Sequence, residues 1–249
     1  FAKKAGHTGS LDPIATGLLP ICFGEATKFS QYLLDADKEY FVTAKLGETT
    51  TTGDLEGDVI ETRSVSEFGS AQFGKVLENF RGESTQIPPM YSALKHQGQP
   101  LYKFARKGIE IERKARAIKI TKLTLKDLTK TTFSLQIKCS KGTYVRTIVQ
   151  DIGEQLGCGA HVTVLHRVSV GSYSAGEMVD FETIKQWGEE KNFEALDPLL
   201  LSMEGAITHL PVLTLSLSDA LNLQQGKVIA VLEKVSPGLV RLYNDGQDF

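Results

Sequence analysis

The clearest alternation of apolar and polar residues lies in two segments near the middle of the chain. Residues 117–125 and 132–139 show the period of two that is typical of half-buried strands, and they are close enough in sequence to pair. Aromatic and β-branched residues predict a further strand over residues 39–46, and residues 161–169 have the same character. We therefore expect at least four strands in one sheet.

Apolar residues spaced by three and four predict helices between these strands. The strongest example spans residues 143–156, where Ile148, Ile152 and Leu156 lie along one face and Gly157 follows as a stop signal. Shorter helices are predicted over residues 25–34, from about 66 to 80, and over residues 101–107. Because strands and helices do not alternate regularly, we expect an α+β fold with a central mixed, mostly antiparallel sheet flanked by helices and loops.

The pattern changes near residue 210, where we place a domain boundary between a domain over residues 1–210 and a unit over residues 211–249. From residue 211 the sequence suggests short strands with turns. The ~39 residues involved are too few for a robust core of their own, so we expect a small, truncated all-β domain. Residues 1–5 run directly into the first motif, and we expect the N-terminus to be incomplete as well.

The composition argues against a membrane protein, a zinc protein and a disulfide-rich protein. No apolar run approaches the ~20 residues of a membrane span. The three cysteines are far apart and the five histidines are scattered, which argues against a zinc site and against a disulfide framework. We expect a cytoplasmic protein that holds no metal.

Charge is distributed unevenly along the chain. The formal net charge is −2, yet residues 95–122 contain nine basic and two acidic residues, so that segment carries about +7. The rest of the chain must then be clearly acidic. This asymmetry indicates a localised contact with a polyanion, although a solvated basic face would look the same.

The segment GHTGSLDPIATG, residues 6–17, presents one acid among glycines and small residues. Gly6 and Gly9 allow turn conformations that other residues avoid, and Pro13 favours an extended backbone at Asp12. Asp12 is therefore a candidate reactive carboxylate on a defined loop. An Asx turn or a helix cap would give the same local pattern.

A second candidate is CSKGTYVRT, residues 139–147, where a strand ends and a helix begins. This junction carries Tyr144 and Arg146, and a guanidinium fork can bind both oxygens of a carboxylate. Tyr40, in the strand over residues 39–46, could stack on a flat ring and exchange a proton through its hydroxyl. Each residue alone could equally be an ordinary surface or core side chain.

Several long motifs in a fixed order resemble the TruB family of tRNA pseudouridine synthases. They are GHTGSLDPIATGLLPICFGEATKF, DKEYFVTAKLG, IPPMYSALK, CSKGTYVRTIVQDIGEQLG and HVTVLHR. The resemblance extends over residues 1 to about 200. It implies a pseudouridine synthase fold and an enzyme that isomerises the T-loop uridine at tRNA position 55, without a cofactor or a metal.

The resemblance also implies roles for particular residues. Asp12 matches the catalytic aspartate, Tyr40 the active-site tyrosine that stacks on the target base, and Arg146 the arginine that pairs with the aspartate. Tyr144 and Leu165 match positions that line the pocket. A single carboxylate nucleophile suffices for this reaction, because the base is detached, turned and rejoined without net redox change.

Further positions are implied to contact RNA. His7 matches a histidine beside the flipped nucleotide, and Arg167 follows the pocket leucine in a region that contacts RNA. Residues 88–117 match a mobile insertion that clamps the RNA, and residues 211–249 resemble the start of a PUA-type RNA-binding domain. The candidate clamp side chains are Lys103, Arg106 and Lys107. The implied partner is the T-arm stem-loop of tRNA, with no membrane contact, no obligatory protein partner and a monomeric state.

Three departures from the family pattern are visible, one of which is that the PUA-like part is shorter than in the family. The strand and Lys-Pro-x-Gly motif that usually precede the Gly-His segment are not in the sequence, and His166 stands where the family often has an arginine. Three alternatives stay open: an RNA-binding or RNA-folding protein without essential catalysis, an RNA-guided relative, and a glycosidase. The insertion argues against the guided relative, and a glycosidase would usually need a second carboxylate at a fixed separation.

Overall fold

The structure is a computed structural model that describes residues 3–231 and 236–244. Its strands are short at the two ends of the chain and long in the middle. In chain order they are β1 (Ala5–His7), β2 (Ala15–Gly17), β3 (Ile21–Phe23), β4 (Lys38–Leu46), β5 (Glu48–Thr50), β6 (Val59–Thr62), β7 (Gly82–Gln86), β8 (Lys95–His96), β9 (Gln99–Pro100), β10 (Arg116–Leu128), β11 (Thr132–Cys139), β12 (Ala160–Val170), β13 (Tyr173–Ser174), β14 (Val212–Leu215) and β15 (Arg241–Asn244).

The helices are mostly short and lie between the strands. They are α1 (Ser30–Asp35), α2 (Ser70–Glu78), α3 (Leu101–Ala105), α4 (Val145–Gln155), α5 (Phe181–Glu189), α6 (Phe193–Leu196) and α7 (Leu217–Gln224). Short 3-10 turns occupy Gly24–Lys28, Ala175–Glu177, Asp197–Leu199 and Met203–Ile207.

The central sheet has the strand order β13-β12-β4-β11-β10-β7, with β2 added beside β12. All of its pairs are antiparallel except β2 with β12. The predicted strands over residues 39–46, 117–125, 132–139 and 161–169 are therefore confirmed, as is the mixed, mostly antiparallel α+β fold. The strand β2 matters most for the site, because it anchors the loop that carries Asp12 to the middle of the sheet.

The main core lies between this sheet and helix α4. The inward positions of β4 and β11 are completely buried, among them Val42, Phe133 and Leu135. Helix α4 covers them with a stripe that includes Ile148 and Ile152, as the helical spacing of the sequence predicts. This packing fixes the direction of α4, and with it the position of the side chains at its first turn.

Three elements differ from the predictions. Helix α2 begins at Ser70 rather than near residue 66. Strand β7 is not predicted by the sequence, since GESTQ has no apolar alternation. The segment after residue 211 contains helix α7, where the sequence suggests only short strands; Ser216 caps that helix by accepting from the amide of Asp219. The expected strands are present as β14 and β15, and parts of that region lie outside the described residues.

Candidate active site

The loop that carries Asp12 is tied to strand β12 on the C-terminal side of the aspartate. Strand β2 pairs with β12, and the amide of Leu18 donates to the carbonyl of Arg167 over 2.8 Å. Gly17 has a φ of +100°, and a Cβ there would lie 2.3 Å from the Arg167 carbonyl oxygen, so only glycine fits. Within the loop, the amide of Ala15 donates to the Asp12 carbonyl. The Asp12 carboxylate is thus presented from a fixed turn.

Arg146 projects from the first turn of α4 onto this carboxylate. Its Nε lies 2.8 Å from Asp12 Oδ2 and its Nη2 lies 3.2 Å from Asp12 Oδ1, which is a two-point contact. The guanidinium also donates to the carbonyls of Thr52 over 2.5 Å and of Tyr91 over 2.9 Å. The arginine side chain is only 4% exposed, whereas that of Asp12 is 36% exposed. The pair is therefore fixed from the protein side and open on the carboxylate side.

A second carboxylate lies beside the guanidinium. Asp54 Oδ2 is 3.5 Å from Arg146 Nε, and the Asp54 side chain is 4% exposed. Its Oδ1 accepts from the hydroxyl of Thr52 and the amide of Glu56. Asp54 reaches the site because the turn over residues 53–58 returns to the sheet and Asp54 bridges to Val162. Only Asp12 borders the pocket described next, so the two acids do not form an opposed glycosidase pair.

Asp12 forms one wall of a small pocket of about 110 Å³, which is on the order of the space that a single six-membered ring requires. The side chains predicted as pocket residues come together here. The lining consists of Ser10, Leu11, Asp12, Ala15, Tyr40, Thr143, Tyr144, Val145 and Leu165. Strands β4 and β12 are neighbours in the sheet, which is why Tyr40 and Leu165, far apart in the chain, meet at one ring-sized space.

The tyrosines of the pocket are neutral phenols at neutral pH. Burial raises the pKa of the Tyr40 hydroxyl, and the positive charge of Arg167 opposes only part of that rise. Burial likewise raises the pKa of Tyr144, with a smaller opposing effect from the hydroxyl of Ser92. A neutral phenol can donate a hydrogen bond as well as accept one, and its ring presents an apolar face for stacking.

Arg167, for which the resemblance implies an RNA contact, lies inside the protein. It is 2% exposed, its Nε donates to the carbonyl of Leu18 over 2.7 Å, and its Nη2 donates to the carbonyl of Gly9 over 3.2 Å. These carbonyls flank the Asp12 loop on both sides. The interpretation is therefore corrected: the buried guanidinium holds the loop and lies beside Tyr40, and it presents no surface to RNA.

The remaining predicted RNA contacts lie outside the pocket. His7 is exposed at the end of β1, where its Nδ1 accepts from the amide of Gly9. Lys103, Arg106 and Lys107 are exposed on α3 and the turn after it. The Arg106 guanidinium lies 5.4 Å from the centre of the Tyr102 ring, which holds that side chain against the insertion.

The residues that sequence reasoning misses act through the backbone or are far away in the chain. Asp54 is distant from Asp12 in sequence and lies in the segment GDLEGD, whose composition is typical of a turn. Thr52 and Tyr91 contribute only carbonyl groups, for which side-chain patterns give no signal. A larger open cleft of about 740 Å³ lies between residues 65–72 and 128–130, remote from these groups.

Membrane spans and metal clusters are both missing from the described part of the chain. No helix in residues 3–231 and 236–244 is long and apolar enough to cross a bilayer. The same residues contain no group of three or more His, Cys, Asp or Glu side chains placed to hold a metal ion.

The fold and the pocket define a pseudouridine synthase class of protein, and comparisons with known proteins identify the branch. The model of the TruB family pseudouridylate synthase N-terminal domain matches residues 1–145, and that of the tRNA pseudouridylate synthase B C-terminal domain matches residues 146–208. The chain belongs to the TruB family of pseudouridine synthases, which are isomerases.

Relatives are similar over nearly the whole chain. The tRNA pseudouridine synthase B of Marinomonas sp. is 50% identical over 246 residues, covering 98% of this chain and 80% of the relative. That of Coxiella burnetii is 49% identical over 248 residues, covering 100% and 80%. Among solved structures, a Cbf5-Nop10-Gar1 complex matches with a TM-score of 0.71 at 24% identity, covering 99% of this chain and 68% of the matched chain. At that identity the solved structure supports the fold alone.

Proposed function

We propose that this protein is a tRNA pseudouridine synthase that isomerises the T-loop uridine at tRNA position 55. The observation that carries the proposal is the Asp12 carboxylate, held at two points by Arg146 and open to a pocket of one-ring size. The names of the relatives, tRNA pseudouridine synthase B, support tRNA as the substrate.

Asp12 acts as the nucleophile. The bond between C1′ and N1 of the uridine breaks, the base turns, and a bond forms between C1′ and C5. The hydrogen at C5 leaves as a proton and N1 gains one, so the product is an isomer of the substrate and no oxidant or reductant takes part. Attack of Asp12 at C1′ and attack at C6 of the ring both satisfy this balance. Arg146 keeps the carboxylate aimed at the pocket, where a displacement of about 1 Å would cost much of the rate.

Tyr40 provides the surface on which the base stacks, and its neutral hydroxyl is available for proton transfer. Tyr144 and Leu165 close the pocket around the ring. The uridine must leave its loop to reach this space, which costs a few kcal/mol, and stacking on an aromatic ring returns about 1–3 kcal/mol.

The insertion over residues 88–117 supplies phosphate contacts to the T-arm stem-loop through Lys103, Arg106 and Lys107. His7 contacts RNA beside the flipped nucleotide. Residues 1–210 form the catalytic domain in this proposal, and residues 211–249 are part of a PUA-like RNA-binding domain. We propose that the protein acts as a monomer in the cytoplasm, without an obligatory protein partner, a cofactor or a metal.

Tritium release from a T-arm stem-loop that carries uridine tritiated at C5 tests the proposal directly. Forming the C1′–C5 bond expels that hydrogen, so release reports the isomerisation itself. We expect release with the unaltered protein and none above background with Asp12→Asn, which keeps the size of the side chain but removes the charge. Binding of the stem-loop should be similar for both proteins. Tight binding without release from either would instead favour an RNA-binding or RNA-folding protein.

A further inference from the structure

The side chain of Gln86 forms two hydrogen bonds with the backbone of Tyr144, one of the residues that line the pocket. The amide N–H of Tyr144 donates to Gln86 Oε1 over 2.8 Å, and Gln86 Nε2 donates to the Tyr144 carbonyl over 3.1 Å. Gln86 is 6% exposed. Its side-chain amide therefore satisfies both backbone groups of one residue, as a neighbouring strand would.

Gln86 occupies the neck of the insertion. It is the last residue of β7, directly before the segment that leads into residues 88–117. Its pairing partner in the sheet is Arg116, the first residue of β10, where the insertion returns. Both ends of the insertion therefore meet at Gln86.

The residue that Gln86 holds is the one that starts the catalytic helix. Tyr144 is the N-cap of α4, it has an extended backbone, and no side chain caps the helix. Arg146 follows two positions later. The chain that follows Gln86 makes a second contact with α4: the carbonyl of Tyr91 accepts from Arg146 Nη2 over 2.9 Å. The neck and the first turn of α4 are thus joined at two points.

We propose that Gln86 is a positioning residue for the isomerisation, which fixes Tyr144 and Arg146 against the neck of the RNA-clamping insertion. The inference rests on the proposed function above. Removing the amide leaves the Tyr144 N–H without its partner, whereas the Tyr144 carbonyl still accepts from the Ile148 amide over 3.2 Å. The start of α4 therefore shifts to satisfy the N–H. A small shift there changes the aim of the Arg146 guanidinium at Asp12, and the chemical step slows while tRNA binding persists.

Gln86→Glu tests this geometry, because a protonated carboxyl has the shape and the hydrogen-bonding pattern of the amide. Its carbonyl oxygen accepts from the Tyr144 N–H and its O–H donates to the Tyr144 carbonyl. The ionised form has no donor and repels that carbonyl. Burial raises the pKa of a carboxyl group at this position, and the positive charges of Arg116, its partner across the sheet, and of Arg146 oppose that rise. The pH dependence of the variant reports which of the two forms is present.

Single-turnover tritium release is measured at saturating stem-loop from about pH 8 down to about pH 5.5, and each rate is divided by that of the unaltered protein at the same pH. For Gln86→Glu we expect a ratio below about 0.1 at the alkaline end that rises at least fivefold toward the acidic end. Gln86→Leu, which cannot form either bond, should stay low at every pH. Thr85→Glu is the matched control: it places a carboxylate on the exposed neighbouring position of β7 and should keep a ratio near one.

Stem-loop affinity and the unfolding midpoint are measured for each variant at the same pH values. Affinity within about threefold of the unaltered protein, together with the acid-dependent recovery of Gln86→Glu, supports the positioning role. A ratio that does not change with pH overturns it. So does a lowered unfolding midpoint with an unaltered rate per folded molecule in both variants. If the unaltered protein itself releases no tritium, the proposed function fails, and this inference fails with it.

Discussion

Two buried arginines flank the pocket, and they hold it in different ways. At the start of α4, Arg146 binds the Asp12 carboxylate at two points, and Asp54 lies near the same Nε. In the middle of β12, Arg167 donates to the carbonyls of Leu18 and Gly9. The first region fixes the reactive charge, and the second fixes the loop that carries it.

The two arginines also differ in the charged groups that surround them. Arg146 has two carboxylates within 3.5 Å, so its charge is locally balanced. Arg167 lies close to Lys38, whose pKa is lowered to about 8 by burial and by that neighbouring positive charge. Lys38 in turn donates to the carbonyls of Leu33, Leu34 and Ala36 at the end of α1. The β12 side is therefore a cationic region whose charges are hydrogen-bonded to backbone carbonyls. We expect it to contribute mainly to the stability of the fold and only indirectly to the reaction.

Arg146→Lys should give the largest effect on catalysis. A lysine keeps the charge, but its single ammonium cannot contact both Asp12 oxygens and two carbonyls at once. We expect single-turnover tritium release to fall by about 10²–10³-fold, or roughly 3–4 kcal/mol of transition-state stabilisation. Stem-loop affinity should change little. A rate close to that of the unaltered protein would contradict the role assigned to the two-point contact.

Arg167→Lys should affect stability more than the reaction rate, in contrast to Arg146→Lys. A lysine in that buried position cannot reach both Leu18 and Gly9, so we expect the free energy of unfolding to fall by about 2–4 kcal/mol. The rate at a temperature where the variant stays folded should fall only by about tenfold, through a loosened Asp12 loop. Denaturant unfolding and single-turnover release measure the two quantities. Equal losses of rate in the two arginine variants, with stability intact in both, would remove the distinction between the regions.

The sequence predicts one of these regions better than the other. Helix α4 has an amphipathic stripe and a glycine stop, and strands β4 and β12 have strand composition, so the backbone around Tyr40, Arg146 and Leu165 can be anticipated. The family motifs then imply the approach of Arg146 to Asp12, which the structure contains. For Arg167 the motifs indicate only proximity to the site, because a guanidinium that binds backbone carbonyls leaves no mark on side-chain patterns.

Other features are beyond the sequence for physical reasons. Asp54 is buried by a long-range bridge to Val162, which no local pattern encodes. Strand β7 has polar residues on both faces, so its alternation is absent and Gln86 gives no signal. The alternating residues 212–215 form strand β14 as expected, but the cap at Ser216 starts helix α7 directly after it. Tertiary contacts decide at Asp54 and at strand β7, whereas a local cap decides at α7.

Asp54→Asn should have a smaller effect than either arginine variant. Asparagine keeps the acceptor oxygen for the Thr52 hydroxyl and the Glu56 amide but removes the negative charge beside Arg146. Of the two carboxylates beside the guanidinium, only Asp12 then remains, and we expect the rate to fall by roughly fivefold with the fold unchanged. Asp58→Asn, an exposed acid of the same turn, is the matched control and should have no effect. Identical rates for both variants would show that the second carboxylate only shapes the turn.

The smallest effect on chemistry should come from the exposed cations of the insertion. Lys103, Arg106 and Lys107 form no ion pair with any of the residues that the structure describes, in contrast to Arg146. Replacing all three with glutamate should weaken stem-loop binding. The slope of log affinity against log salt should fall by about 0.7–0.9 for each phosphate that the variant no longer neutralises. The rate at saturating stem-loop should stay within about threefold, because Asp12 and its holders are untouched.

Lys185→Glu, on the exposed face of α5, changes charge without touching the insertion and should leave the salt slope as it is. If the triple variant also kept the slope of the unaltered protein, the basic segment would be a solvated face, and the phosphate contacts would have to come from elsewhere. If instead its saturated rate fell as far as that of Arg146→Lys, the insertion would act on the chemistry directly. The neck at Gln86, which joins the insertion to the first turn of α4, is the physical route for such an effect. The separation between residues that bind RNA and residues that hold the reacting carboxylate would then have to be given up.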